Sequence, residues 1–170
     1  MDRVYIETKV FADEAGAVSG IAWKFDQADR IGDMIEAKAF AKATLPIPML
    51  FGHDQNDPVG AWNVATEKSG ALHLAGNLLV ADVARAREVS ALVKSGAVRG
   101  ISIGFITRKS RPRVGGGRTI TDLELLEASL VTVPMHPGAR VTSAKSALTA
   151  LAIAEAINRA TAALSTGNLK

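Results

Sequence analysis

The sequence predicts a mostly β fold with a few helices, built as a closed or nearly closed antiparallel β-barrel with inserted helices and a further C-terminal helix. Three observations lead there. Short runs of alternating apolar and polar residues recur along most of the chain, turn residues separate them, and helical periodicity is confined to a few stretches. Val4 to Phe11 and Val18 to Phe25 read as two strands joined by Ala12-Asp13-Glu14-Ala15-Gly16, and Asp33 to Ala43 reads as a short helix. A strand follows that ends at His53, with turn residues Gln55-Asn56-Asp57-Pro58 beyond it. Val59 to Glu67 and Leu72 to Val80 form the arms of a hairpin that turns at Lys68-Ser69-Gly70.

Asp82 reads as the cap of a helix in which Ala86, Val89, Leu92 and Val93 recur at helical spacing, and Gly96 ends it. From Ser143 to Leu164 the chain is rich in alanine without Gly or Pro, and Ala150, Ile153, Ile157, Ala160 and Leu164 make a helical stripe. Ser165 to Lys170 reads as a disordered tail. These elements divide the chain into a barrel domain over 1–142 and an alanine-rich helix with its tail over 143–170.

Composition sets bounds. A chain of 170 residues that is 48% hydrophobic builds one full core. Aromatics are only 5%, too few for the stacking platforms of a base-binding protein. There is no cysteine, which excludes disulfides, thiolate-held zinc and a thiol nucleophile and fits a reducing compartment. No stretch approaches the roughly 20 apolar residues of a membrane span. The first residues, Met1-Asp2-Arg3-Val4-Tyr5-Ile6-Glu7, lack an export signal, so the protein is expected to stay where it is made. The net charge is +3, and Arg108, Lys109, Arg111, Arg113 and Arg118 crowd around Gly115-Gly116-Gly117. That segment reads as a mobile, solvated basic hairpin loop.

Three segments carry chemistry. In Gly100-Ile101-Ser102-Ile103-Gly104-Phe105, alternation sends Ile101, Ile103 and Phe105 toward a core and leaves Ser102 alone between glycines, on a strip that a substrate backbone can approach. In Pro46-Ile47-Pro48-Met49-Leu50-Phe51-Gly52-His53-Asp54, a histidine stands at a strand end beside a loop, where a general base is both fixed and reachable. In Leu123 to Pro134, Glu127 lies inside a strand, phased with Leu125, Ser129 and Val131, whereas Glu124 falls with Leu126 and Leu130. A carboxylate in such a strand is costly unless it is paired.

The ordered motifs Leu50-Phe51-Gly52-His53, Gly100 to Phe105 and Leu126 to Pro134 resemble the prohead proteases of tailed bacteriophages, which share their fold with the herpesvirus assemblin proteases. The likeness runs from about Ala17 to Ala139, since three motifs in order are far more specific than one. Asp29-Arg30-Ile31-Gly32-Asp33 resembles the family's acidic loop, and Lys38 stands before Ala39-Phe40 where the family has glycine.

The resemblance implies an assemblin-like barrel and a serine endopeptidase, with Ser102 as nucleophile, His53 as general base and Glu127 as orienter of the imidazole. Asp54 and His136 compete with Glu127 for the third role, and Ser129 competes with Ser102 for the first. The oxyanion donors stay open among the amides of Ile103 and Gly104, with Arg140 fixing a loop. His73, alternating with leucines, reads as a surface position. The resemblance further implies the major capsid protein and scaffold segments as substrates, a homodimer or higher homo-oligomer, no cofactor, no metal and no membrane. The expected place of action is the assembling procapsid in the bacterial cytoplasm. A non-enzymatic capsid scaffold of the same fold is the principal alternative, and a small basic nucleic-acid-binding barrel is a third, which the scarcity of aromatics disfavours.

Overall fold

The structure, a computed structural model, describes residues 16–143. The expected first strand over Val4 to Phe11 and the expected C-terminal helix and tail lie outside the described residues, apart from Ser143. Among the described residues eight strands form one sheet: β1 (Ala17–Lys24), β2 (Met34–Ile35), β3 (Ile47–Phe51), β4 (Pro58–Lys68), β5 (Ala71–Leu78), β6 (Gly100–Pro112), β7 (Arg118–Val131) and β8 (Arg140–Ser143). Their order is β2-β7-β3-β4-β5-β1-β8, with β6 paired to β7. One helix, α1 (Ala84–Lys94), stands between β5 and β6.

Among the described residues the class is therefore mostly β with one α-helix, and the ladder does not close into a barrel. Among the described residues β8 pairs only with β1, and β6 only with β7. A single backbone bond, from Val141 N–H to Arg99 O at 2.9 Å, ties β8 to the residue before β6. Nor is the sheet wholly antiparallel, because β2 and β3 both run parallel to β7. Parallel pairing joins strands distant in sequence, so no turn signal announces it.

Local chemistry explains the elements. The β4–β5 hairpin turns on Ser69 (φ 52°) and Gly70 (φ 72°), two successive left-handed residues as a tight hairpin requires. Helix α1 seats Ala86, Val89 and Val93 in the core, and the chain leaves it through Gly96 at φ 77°. Asp82 is not its cap: Val83 holds that position, and no side chain caps the first turn. The expected helix over Asp33 to Ala43 is instead the two-residue strand β2 followed by a 3₁₀ turn over Ala37–Phe40. Tertiary demand overrides helical spacing here, since Met34 and Ile35 pair with Thr119 and Ile120 of β7 while Ala39 and Phe40 fill the core.

Most of the basic segment is strand rather than loop. Strand pairing carries β6 to Pro112 and takes up β7 at Arg118, leaving a turn over 113–117. Arg108 pairs with Glu124, Arg111 with Glu36 at 2.6 Å, and Arg113 donates to the Gly32 carbonyl. Arg118 clamps Asp33 through Nη2 to Oδ2 at 2.5 Å and through its backbone N–H to Oδ1 at 2.8 Å. Asp29 Oδ1 accepts from the Asp33 and Ile31 amides, so the loop before β2 is pinned to the hairpin base.

Asp33 is buried, and its bonds to Arg118 hold its carboxyl below the usual range. The unfolded chain consequently takes up its proton first as pH falls, so this pair stabilises the fold above the ordinary carboxylate range and ceases to do so in stronger acid. Asp33→Asn is expected to lower stability by about 1–3 kcal/mol at pH 7 in urea denaturation. The difference from wild type should shrink below about pH 4; a difference independent of pH would detach the loss from the Asp33 charge.

Candidate active site

The β6–β7 ladder sets the site. Its register pairs Gly100 with Val131, Ser102 with Ser129 and Gly104 with Glu127 on one face, and Ile101 with Leu130 and Ile103 with Ala128 on the other. The second set packs in or against the core. Between Gly104 and Phe105 the partner on β7 jumps from Glu127 to Leu125, which makes Leu126 the extra residue of a β-bulge. The bulge reverses the phase of β7. Leu123 and Leu125 face the core before it, and Ala128 and Leu130 do so after it. Strict alternation groups Glu127 with Leu125; in the structure the two point to opposite faces, and the carboxylate escapes the core.

His53 reaches this face from the other side of β7. Strand β3 runs parallel to β7 with Leu50 beside Ser129 and Phe51 beside Leu130, and Gly52 N–H donates to Leu130 O at 3.1 Å. The strand then breaks into a turn rather than continuing through the histidine. Gly52 (φ 65°) and His53 (φ 63°) are both left-handed, and Asp54 N–H returns to Phe51 O at 3.2 Å. A left-handed histidine costs about 1 kcal/mol or more, so the surroundings must hold it. They do so at both ends of the turn. Asp54 Oδ1 accepts from Asn56 N–H at 2.8 Å, while Arg85 of α1 bonds Asp57 at 3.0 Å and lies over the Phe51 ring at 4.7 Å.

Three side chains meet there. His53 Nδ1 donates to Glu127 Oε1 at 2.8 Å, Ser129 Oγ donates to Glu127 Oε2 at 2.7 Å, and the His53 backbone N–H donates to Ser129 Oγ at 3.1 Å. The His53 side chain is 44% exposed and that of Glu127 13%. With Nδ1 committed to the carboxylate, Nε2 of the neutral ring is the acceptor. Ser102 lies on the same face, opposite Ser129 and two residues before Glu127's partner Gly104, and is buried. It makes no hydrogen bond to His53, because β7 intervenes between their strands.

The other sequence candidates lie elsewhere or are otherwise engaged. His136 is buried against Trp23 with ring centroids 4.4 Å apart; its Nε2–H faces the carbonyls of Lys24 and Gln27, and its Nδ1 accepts from Gly138 N–H. Asp54 serves its own turn. Ser129 is fully buried, with its one proton directed at Glu127. His73 is half-buried in β5. The glycines of β6 leave room for the protein's own groups rather than an open strip: a Cβ at position 104 would collide with Glu127 Oε1, and one at 100 with Pro134 and Val131. Among the described residues no group of three or more His, Asp or Glu is placed to hold a metal ion.

A profile of the caudovirus prohead serine proteases matches residues 5–152. The chain belongs to that family. It is 33% identical over 153 residues to the capsid polyprotein of Pseudomonas phage PAJU2, covering 85% of this chain and 23% of that protein. It is also 30% identical over 138 residues to the prohead protease of Enterobacteria phage HK97, covering 77% of this chain and 61% of that one. The chain thus spans about a quarter of the first relative and about three-fifths of the second. Within this family member, the role of Ser129 as a hydrogen-bonding centre was not legible as such. The Glu-x-Ser spacing that puts both side chains on one strand face was its signal. Arg85 had none, since only the folded chain brings α1 to the turn.

The fit of Glu127 over a residue without a side chain yields a test. Gly104→Ala should expel the carboxylate from His53 and abolish the low-field Nδ1 proton resonance of the ring, with the fold retained by circular dichroism. Persistence of that resonance would show that Glu127 has room to spare.

Proposed function

We propose that this protein is a serine endopeptidase that cleaves capsid and scaffold proteins during maturation of a phage head, with Ser102 as nucleophile, His53 as general base and Glu127 as the group that orients the ring. The observation that carries this reading is the 2.8 Å bond from His53 Nδ1 to Glu127, which leaves Nε2 as the basic atom on the face that holds Ser102. Family membership and the name of the HK97 relative support the activity, and the name of the PAJU2 relative supports a capsid protein as the substrate.

In this reading Ser102 Oγ attacks the scissile carbonyl as its proton passes to His53 Nε2. Glu127 stabilises the imidazolium without taking the proton from Nδ1. The imidazolium then protonates the departing amine as the C–N bond breaks, leaving an acyl ester on Ser102. Water, deprotonated by the same ring, hydrolyses that ester and restores the serine. Ser102 and His53 come within hydrogen-bonding reach in the substrate complex, since catalytic hydrogen bonds are often formed only there. The site acts inside the assembling procapsid in the host cell, on the capsid precursor, as a homo-oligomer and without a cofactor.

Mass spectrometry of the protein incubated with the capsid precursor of its own phage tests the reading. Defined peptide cleavage is expected from the wild type and none from Ser102→Ala, with fold and oligomer unchanged. Undiminished cleavage by that variant would reject Ser102, and shell assembly that is indifferent to replacement of all three residues would favour a scaffold. Glu127→Gln should lower kcat by about 10²- to 10⁴-fold with little change in KM. A loss confined to KM would deny Glu127 the orienting role.

A further inference from the structure

We propose that Ser129 is a positioning residue, a fourth member of the site whose hydroxyl locks Glu127 and the backbone of His53 into one geometry. This rests on the proposed roles of His53 and Glu127 and extends them to a residue that never meets substrate. Ser129 is fully buried, and its hydroxyl bonds in both directions. It accepts from the His53 backbone N–H at 3.1 Å and donates its only proton to Glu127 Oε2 at 2.7 Å.

Each bond removes a freedom the site has reason to remove. A glutamate has three rotatable side-chain bonds and is ordered only at an entropic cost. Glu127 is fenced by the bare Gly104 on one side and held at Oε2 by Ser129, so that Oε1 alone is presented to the ring. His53 sits at φ 63°, a conformation that a non-glycine residue leaves readily, and the Ser129 oxygen holds its amide there. The same atom therefore sets where the base begins and where its orienter ends. Its committed proton also removes Ser129 from contention as the nucleophile, which keeps the two facing serines, 102 and 129, chemically distinct.

Ser129→Ala leaves the strand and core intact but frees both partners. The first readout needs no substrate: NMR of the full chain should show the low-field His53 Nδ1 proton broadened or lost, and faster hydrogen exchange at the His53 amide with other β3 and β7 amides unchanged. The second is kinetic: kcat toward the capsid precursor should fall by about 10- to 100-fold at nearly constant KM, the loss expected for one bond to a charged group. Ser129→Thr, which keeps the hydroxyl, should restore both. An unaltered Nδ1 proton and His53 amide in Ser129→Ala overturn the proposal, as does exchange accelerated evenly along both strands, or a folded Ser129→Thr that behaves like the alanine variant. A wild type that cleaves nothing but shows the NMR pattern would reject the protease reading and leave the positioning role standing.

Discussion

A mostly buried carboxylate, Glu127, must find hydrogen-bond donors on the surface of an apolar sheet, and that constraint organises the region around it. A charge so placed is costly when unpaired and is stabilised here by His53 and Ser129, one on each oxygen. Satisfying it takes a bulge at Leu126 to turn Glu127 away from the core, a glycine at 104 to clear its path, and a left-handed turn at 52 and 53 to bring the imidazole over β7. Each feature carries some strain or lost packing in isolation. Together they make one hydrogen-bonded unit that spans three neighbouring strands.

The remainder of the molecule makes that unit stiff. The indole of Trp62, buried in β4, donates to the carbonyl of Ala128 at 2.8 Å, so the residue between Glu127 and Ser129 is tied to the core from behind. Helix α1 braces the histidine turn through Arg85. At the far end of the β6–β7 ribbon, the Asp33–Arg118 clamp ties the hairpin to the loop before β2, Arg111 ties it to Glu36 just after β2, and Arg108 pairs with Glu124 across the ribbon itself. The ribbon carries its chemistry at one end and its electrostatic anchorage at the other. Three of its five basic side chains, Arg108, Arg111 and Arg118, pair with the protein's own carboxylates.

The candidate residues stood out in the sequence because their types were sparse and chemically pointed: a serine between glycines, a histidine at a strand end and acids inside an apolar strand. Local turn chemistry was legible as well, as in Ser69-Gly70 and at Gly96, because positive φ leaves a compositional mark. Phase was not. A bulge adds one residue without changing composition, so alternation across Leu126 assigned Glu127 to the face of Leu125. The parallel pairing of β2 and β3 with β7 is equally silent in sequence, which is why the sheet was expected to be antiparallel and closed. Glycine 104 was read as space for a substrate, since sequence shows that room exists but not which group fills it. The run of arginines looked like a loop because the partners that hold it, Glu36 and Asp33 from around β2 and Glu124 across the ladder, are brought to it only by the fold.

The central claim is that Ser102, rather than its facing neighbour Ser129, is the hydroxyl that the His53–Glu127 pair activates. Treatment with a fluorophosphonate, which forms a serine O–P bond and expels fluoride, followed by peptide mapping, addresses it most directly. The account predicts a single adduct on Ser102 that disappears in His53→Ala. An adduct on Ser129, or labelling of Ser102 that is indifferent to His53, would contradict it.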